Sequence, residues 1–353
     1  MRFAELSEYL PRIESTIARQ YATERAHRPA SLRPYVRALA EFTLQGGKRF
    51  RALLVLAGYH LATGRAPTPA LPAAAAFEHF QTWMLVHDDI IDHSETRRGG
   101  PTLHRRLEAE FRERGGLGKP EEYGVGLGIT LGDLAEPFTL AALLEAPGAT
   151  TTRLAAVAEY VRMTRETAYG QALDIRNGSV PIEEVAEADV LAVHRFKTAA
   201  YTVASPLRIG AILGGAPAGL LADLEAFGLD LGIAFQLRDD VLGTGFDAAL
   251  SGKSANDLAE GKRTLLVVRA WAKTDDEGRA RLRQVLGRPD ATPPELEAAR
   301  EVIRRSGSLA YSERRIAALA GRARRRIHQS RHLRPGGREL LEEIGDRLVH
   351  RAT

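Results

Sequence analysis

An all-α fold is predicted by three features of the 353-residue sequence. Ala, Leu, Arg and Glu dominate it, and these are strong helix formers. Apolar residues recur at three- and four-residue spacing almost throughout, while strict alternation is hard to find. The breaks are short turn-forming clusters at Thr63–Pro72, Gly115–Gly128, Glu145–Thr150, Gly243–Asn256 and Gly287–Pro294, too short and too apolar to be interdomain linkers. Leu265–Val268 is the best strand candidate, but it runs straight into Arg269-Ala270-Trp271-Ala272 and so reads as buried helix. No internal repeat at solenoid periods is present. The expectation is one domain spanning 1–353, built from ten or more helices.

Composition narrows the function classes. The chain is 44% hydrophobic, 27% charged and 6% aromatic, and 49 Lys and Arg against 45 Asp and Glu leave a net charge of +4. That balance gives no reason to expect a nucleic-acid partner. Cysteine is absent, which excludes disulfides, thiolate metal sites and cysteine nucleophiles together. No uninterrupted apolar run approaches the roughly 20 residues of a membrane span. Glu5, Glu8 and Glu14 do not suit a targeting peptide, so a soluble, cytoplasmic protein is expected. Arg322, Arg324, Arg325, Arg326, Arg331 and Arg334 form a basic run. Its ordinary reading is a solvated helix face; the other is an anionic partner or a basic lip over an anionic substrate.

Two acidic clusters depart from this ordinary pattern. On a helix over Phe77–Asp92, Phe77, Phe80, Gln81, Met84, Leu85, Asp88 and Asp92 share one stripe, with Asp89 beside them. The carboxylates continue the apolar face instead of opposing it, and burying them requires a paired cation. A single such cluster would ordinarily be a solvated helix end. A second, however, follows in GLDLGIAFQLRDDVLG, where Gly232, Phe235, Gln236 and Asp239 share a stripe and Asp240 is adjacent. Small Gly228 and Gly232 would let another helix approach closely there. Oxygen-only ligands suit Mg²⁺, which completes its shell with water and substrate phosphates. The acidic clusters therefore predict a phosphorylated ligand.

Basic residues supply the other half. Lys48 and Arg51 lie three apart behind Gly46-Gly47 at an expected helix start. Arg97 and Arg98 follow the first acidic cluster, Lys197 and Thr198 sit in HRFKTAAYT, and Lys253 and Lys262 flank GKSANDLAEGK. Singly these read as surface residues; collectively they suit a diphosphate held between Mg²⁺ and cations.

In order and spacing, GGKRFR, DDIIDHSETRRGGPTLH, GQALDI, FKTAAYT, FQLRDDVLG and GKSANDLAEGKRT resemble the trans-isoprenyl diphosphate synthases of the polyprenyl synthetase family, from about Gly46 to Thr264, with a family-like terminal helix near Arg338–Arg351. The resemblance implies an isoprenoid synthase fold, helices around a central cavity, and a homodimer. It implies head-to-tail condensation of isopentenyl diphosphate with an allylic diphosphate. Asp88, Asp89, Asp92, Asp239 and Asp240 would hold two or three Mg²⁺ ions on the allylic diphosphate, with Arg97, Lys197, Lys253 and Lys262 contacting it. Lys48, Arg51, Gln81 and Arg98 match positions for isopentenyl diphosphate. Thr198, Gln171 and Gln236 match polar positions around the reacting carbons, and Asp174 a supporting carboxylate.

One departure stands out: Gly243 replaces the third Asp of the second motif, and Asp247 or Asp257 is a candidate to compensate. Trp83 and Met84 lie five and four residues before Asp88, about 6–8 Å below it along a helix. In this family the growing chain descends along that helix, so a bulky floor there favours short products, geranylgeranyl first and farnesyl second. Two other classes share part of this pattern. A class I terpene cyclase has no need of Lys48, Arg51 and Arg98, and a non-catalytic subunit of a heteromeric synthase would typically have lost an aspartate motif. A metal-dependent phosphohydrolase would rest on His87-Asp88 alone.

Overall fold

Four consecutive alanines, Ala73–Ala76, are entirely buried, and with Phe77 and Phe80 they make the middle of the helix Leu71–Ile91 a core element on nearly all sides. In chain order the helices leading to it are α1 (Phe3–Ser7), α2 (Leu10–Ala26), α3 (Arg33–Leu44) and α4 (Phe50–Thr63), so Leu71–Ile91 is α5. Next come α6 (Leu103–Glu113), α7 (Pro120–Leu144), α8 (Thr150–Ser179), α9 (Glu187–Val193), a widened helix with i→i+5 hydrogen bonding (His194–Ala204), α10 (Ser205–Leu213) and α11 (Ala218–Gly243). The remaining helices are α12 (Leu265–Lys273), α13 (Asp276–Val285), α14 (Pro293–Arg305), α15 (Ser308–Gln329) and α16 (Gly337–His350). This computed structural model describes residues 1–246 and 257–350.

The all-α expectation holds. Among the described residues the only strands are Thr96–Arg97 and Gly100–Pro101, which pair antiparallel. Leu265–Val268 is buried helix, as expected, and starts where the Thr264 side chain accepts from the Val267 N–H at 3.4 Å. The Gly287–Pro294 break ends at Thr292, whose side chain and backbone pair with Glu295 in a capping box.

One expected break is shorter than the sequence suggests. Of Gly115–Gly128 only the part before Pro120 is non-helical, and α7 begins at Pro120 and runs through Gly124, Gly126 and Gly128. Gly124 and Gly128 mark close packing instead of a turn, whereas a Cβ at Gly126 would meet nothing within 4 Å. A Cβ at Gly124 would sit 2.5 Å from the His104 carbonyl oxygen, and one at Gly132 would sit 2.6 Å from the His87 ring. Close approach of α7 to α5 and α6 outweighs the helix penalty of glycine. The same helix qualifies the expectation of no membrane-length run. Among the described residues α7 is long and apolar enough to cross a bilayer by length and composition, despite Asp133 and Glu136.

The described chain divides into two compact units, Met1–Glu159 with Pro206–Ala216, and Tyr160–Ser205 with Pro217–Thr353. In the first, α5 packs against α2, α4 and α7; in the second, α11 packs against the widened helix and α15.

A buried polar network braces α5 in the first unit. The His79 ring lies with Nε2 2.9 Å from Gln20 Oε1 and Nδ1 3.0 Å from the Tyr21 hydroxyl. Gln20 Oε1 can only accept, so Nε2 carries the proton and Nδ1 accepts from Tyr21. Tyr21 in turn meets Thr43 at 2.9 Å, and Thr82 donates to Thr43 at 3.0 Å. Burial pushes the His79 imidazole down to about 3 and the Tyr21 phenol up. A histidine held neutral when folded but titrating near 6.5 when unfolded contributes stability that is lost as pH falls from about 6.5 toward 3. At pH 5 the loss from this group is about 2 kcal/mol. Urea unfolding of His79→Phe at pH 7 and pH 5 is expected to show a pH dependence smaller than wild type by that amount; an unchanged pH dependence would contradict this.

Candidate functional site

The first acidic cluster forms at the end of α5, and its three carboxylates point to different fates. Asp88 is half-buried, and Asp92, just past the last helical residue, is exposed with its N–H bonded to the Asp88 carbonyl at 2.8 Å. Asp89 is fully buried, accepting from Arg97 Nε at 2.8 Å. Burial pushes its carboxyl up, against the pull of the Arg97 guanidinium. Arg97 and Arg98 are placed by the short hairpin Thr96–Pro101, where Arg98 and Gly99 take left-handed conformations, as does His93 in the approach to it.

Arg98 closes over the Gly46-Gly47 loop. Its Nη1 donates to the carbonyls of Gln45 (2.9 Å) and Gly46 (3.2 Å), and a Cβ at Gly47 would sit 3.2 Å from its Cζ. The loop needs glycine because φ is +59° at Gly46 and +103° at Gly47. Burial, and the nearby charges of Arg49, Arg51 and Arg97, push the Arg98 guanidinium down, the mark of a concentrated positive field. Arg49 is itself buried on Glu78 at 2.9 Å and the Thr43 carbonyl at 2.8 Å, so it anchors the loop while Lys48 projects exposed. Gln81 lies buried on α5 with its Oε1 unpaired among the described residues.

Below Asp88, Met84 continues the same stripe. Trp83 sits on the next stripe, edge-on to Phe80 (5.8 Å) and His87 (6.3 Å), half-buried, its indole N–H without a partner among the described residues.

The second unit holds the other candidates. As expected from Gly228 and Gly232, α11 approaches the widened helix so closely that a Cβ at either position would lie 2.5 Å from Ala204 or Ala199. That contact sets Thr198 against α11, where it donates to Gln236 Oε1 at 3.1 Å. Gln236 passes the chain on, donating to Asp240 Oδ1 at 2.9 Å. His194 Nε2 lies 3.1 Å from the other Asp240 oxygen. Asp240 is therefore buried, held through Oδ1 by Gln236 with His194 beside its other oxygen, while Asp239 is half-buried. Lys197 donates to Asp174 at 2.6 Å, and Gln171 is half-buried on the same helix as Asp174. No pattern in the sequence signals His194. The widening that carries Lys197 and Thr198 is of the kind found disproportionately at functional sites.

Gly243 acquires a reason here. Asp257 enters the space beside it: a Cβ at Gly243 would sit 2.0 Å from Asp257 Oδ2. Lys262 donates to Asp257 at 2.9 Å and lies 2.8 Å from Glu260. Burial, reinforced by the charges of Asp240 and Asp239, pushes the Asp257 carboxyl up to about 6, while Lys262 draws it down. Restoring the side chain is therefore expected to do harm. Gly243→Ala should lower stability by about 1–3 kcal/mol through overpacking, and Gly243→Asp by more, because a like charge is added. Urea midpoints measure both; a Gly243→Asp protein as stable as wild type would overturn this account of the position. Lys253 and Asp247 lie outside the described residues.

Among the described residues no three His, Asp or Glu side chains form a preassembled cage. Carboxylates such as Asp88 and Asp92 in the first unit, and Asp239 in the second, are nevertheless of the type that suits Mg²⁺, a hard cation commonly held by one or two carboxylates together with water and substrate phosphates.

Comparison with known proteins agrees with the geometry. A family model described as polyprenyl synthetase matches residues 33–303. The chain is 32% identical over 321 residues to a geranylfarnesyl diphosphate synthase of Aeropyrum pernix, covering 87% of this chain and 91% of that protein. It is 33% identical over 266 residues to a geranylgeranyl diphosphate synthase of Sulfolobus acidocaldarius, covering 74% of each. Among solved structures, geranylgeranyl pyrophosphate synthase from Corynebacterium glutamicum, complexed with isoprenyl diphosphate and magnesium, superposes with a TM-score of 0.90 at 32% identity, over 99% of this chain and 100% of that one.

Proposed function

The chain belongs to the polyprenyl synthetase family, and from that premise we propose that it condenses isopentenyl diphosphate head-to-tail with an allylic diphosphate to give a short-chain prenyl diphosphate. The observation that carries this reading is the clasp of Arg98 over Gly46-Gly47 beside Arg51, a cluster of positive charge in addition to the Asp88 and Asp92 carboxylates. A single-substrate terpene cyclase has no use for a second diphosphate pocket.

The residues divide the work as the chemistry requires. Lys48, Arg51, Gln81 and Arg98 bind isopentenyl diphosphate. Asp88 and Asp92 are read as Mg²⁺ ligands of the first unit, and Asp239 as a Mg²⁺ ligand of the second, with two or three ions in all. Mg²⁺, when bound, neutralises the charge that develops on the leaving diphosphate. Asp89 and Asp240 are better read as braces than as ligands, since Arg97 holds one, and His194 with Gln236 the other. Lys197, fixed by Asp174, and Lys262, fixed by Asp257, add preorganised positive charge, and Arg97 and Lys253 share that role. The Thr198 hydroxyl and the Gln236 amide, already bonded to each other, offer dipoles to the allylic cation, with Gln171 a further polar group.

As the allylic carbon–oxygen bond breaks, the double bond of isopentenyl diphosphate attacks the cation. The released diphosphate takes the proton, so no protein nucleophile is needed. Water must be kept out to avoid an alcohol product.

A twenty-carbon product is favoured, supported by Trp83 and Met84 beneath Asp88 and by the geranylgeranyl-forming relatives; the geranylfarnesyl-forming relative marks the next length up. A homodimer is supported by the exposed apolar residues Val125, Ile129 and Leu144 on α7. That a single family model runs through both units supports one catalytic domain over 1–353. A cytoplasmic location fits the absence of cysteine.

The test is substrate dependence. Diphosphate release in the presence of Mg²⁺ should require isopentenyl diphosphate and an allylic diphosphate together. Release from the allylic substrate alone would indicate a cyclase, and no release in folded protein would indicate a non-catalytic subunit.

A further inference from the structure

Between Ser308 and Arg338 the sequence carries nine arginines, one glutamate (Glu313) and neither aspartate nor lysine, whereas the rest of the chain is net acidic. Segregation this strong is not what a merely solvated face requires, because solvated helices ordinarily intersperse both signs. The structure shows where much of that charge goes. Within the second unit a groove of about 860 Å³ is lined by Arg322, Arg325, Arg326 and Arg331 from the end of α15 and the turn after it, by Arg195 of the widened helix, and by Leu229 and Ile233 of α11.

Arg322 is held by Asp230 at 2.6 Å. Arg195, Arg325, Arg326 and Arg331 are exposed and have no ion-pair partner among the described residues. Leu229 and Ile233, four residues apart on one helix face, are only half-buried. The groove thus presents guanidinium groups alongside aliphatic side chains; its two carboxylates, Asp223 and Asp230, are taken up by Ser330 and Arg322, and no Phe, Tyr or Trp lines it. Stacking on bases, the usual means of holding single-stranded nucleic acid, has no platform there. Phosphate next to hydrocarbon is the chemistry of a phospholipid headgroup and its upper acyl chain, which arginine and aliphatic side chains match.

We propose that this groove is a docking site for the headgroups of an anionic phospholipid bilayer, holding the protein at a membrane surface without crossing it. The inference uses the proposed function in one respect only: a protein whose product is an amphiphilic diphosphate gains from releasing it at a bilayer. Its test involves no turnover, so the two readings fail separately.

The experiment is co-sedimentation of the intact chain, without substrates, with vesicles of phosphatidylcholine alone or of phosphatidylcholine with phosphatidylglycerol. Binding is expected only to the anionic vesicles and should fall steeply with added salt. The variant Arg325→Gln/Arg326→Gln/Arg331→Gln should bind them roughly a hundredfold more weakly, at about fivefold for each arginine. Arg19→Gln/Arg25→Gln, on exposed α2 positions, should bind like wild type and shows that net charge alone is not responsible. Thermal melts confirm that each variant is folded. Absence of binding to anionic vesicles, equal binding by the triple variant, or tighter binding to duplex RNA than to anionic vesicles would overturn the proposal.

Discussion

Asp88→Asn should lower kcat by on the order of 10²–10³-fold and leave the thermal midpoint of the metal-free protein unchanged or slightly higher. Asp88 ends a helix stripe beside Asp89 and Asp92, so the charge lost relieves repulsion with Asp89 while giving up attraction to Arg97, and the two nearly offset. The neighbouring substitution should behave in the opposite sense. Asp89→Ala removes the buried partner of Arg97, and with Arg97 partly exposed the cost should be about 1–3 kcal/mol of stability. Paired measurements of kcat and thermal midpoint on the two variants separate the roles. If Asp88→Asn lost stability and Asp89→Ala did not, the assignment of ligand and brace would have to be exchanged.

Trp83→Ala should shift the main product upward by one or more five-carbon units at nearly unchanged diphosphate release. The indole is the bulkiest side chain in the turn below Asp88, and in its half-buried setting it meets the Phe80 and His87 rings edge-on. Removing it vacates space without removing a hydrogen bond, since its N–H has no partner among the described residues. Met84→Ala makes the sharper comparison, because Met84 lies on the same stripe as Asp88. Product mass distributions from both variants decide which side chain sets the floor. An unchanged distribution in Trp83→Ala would mean that the indole only packs against its helix neighbours.

Much of this arrangement was legible in the sequence because it is governed by local periodicity. The α5 stripe from Phe77 to Asp88 follows from three- and four-residue spacing, and Gly228 and Gly232 announced a close helix contact that α11 makes with Ala204 and Ala199. The failures are tertiary in origin. Gly124 and Gly128 have the composition of a loop, and only the neighbouring His104 and Glu108 explain why they lie inside a helix. Adjacent aspartates look alike in sequence, yet Arg97 turns Asp89 inward, while His194 and Gln236 hold Asp240. His194 precedes Asp240 by too many residues for any local pattern to connect them. Gly243 departs from the motif in sequence, and Asp257, which occupies its side-chain space, supplies a reason that no local pattern carries.

The most direct test of the central claim is the mass of the product formed from isopentenyl diphosphate and farnesyl diphosphate with Mg²⁺. The account expects a twenty-carbon diphosphate as the main species, one isoprene unit longer than the primer. Folded protein that returns farnesyl diphosphate unextended, or converts it to a hydrocarbon, would contradict it.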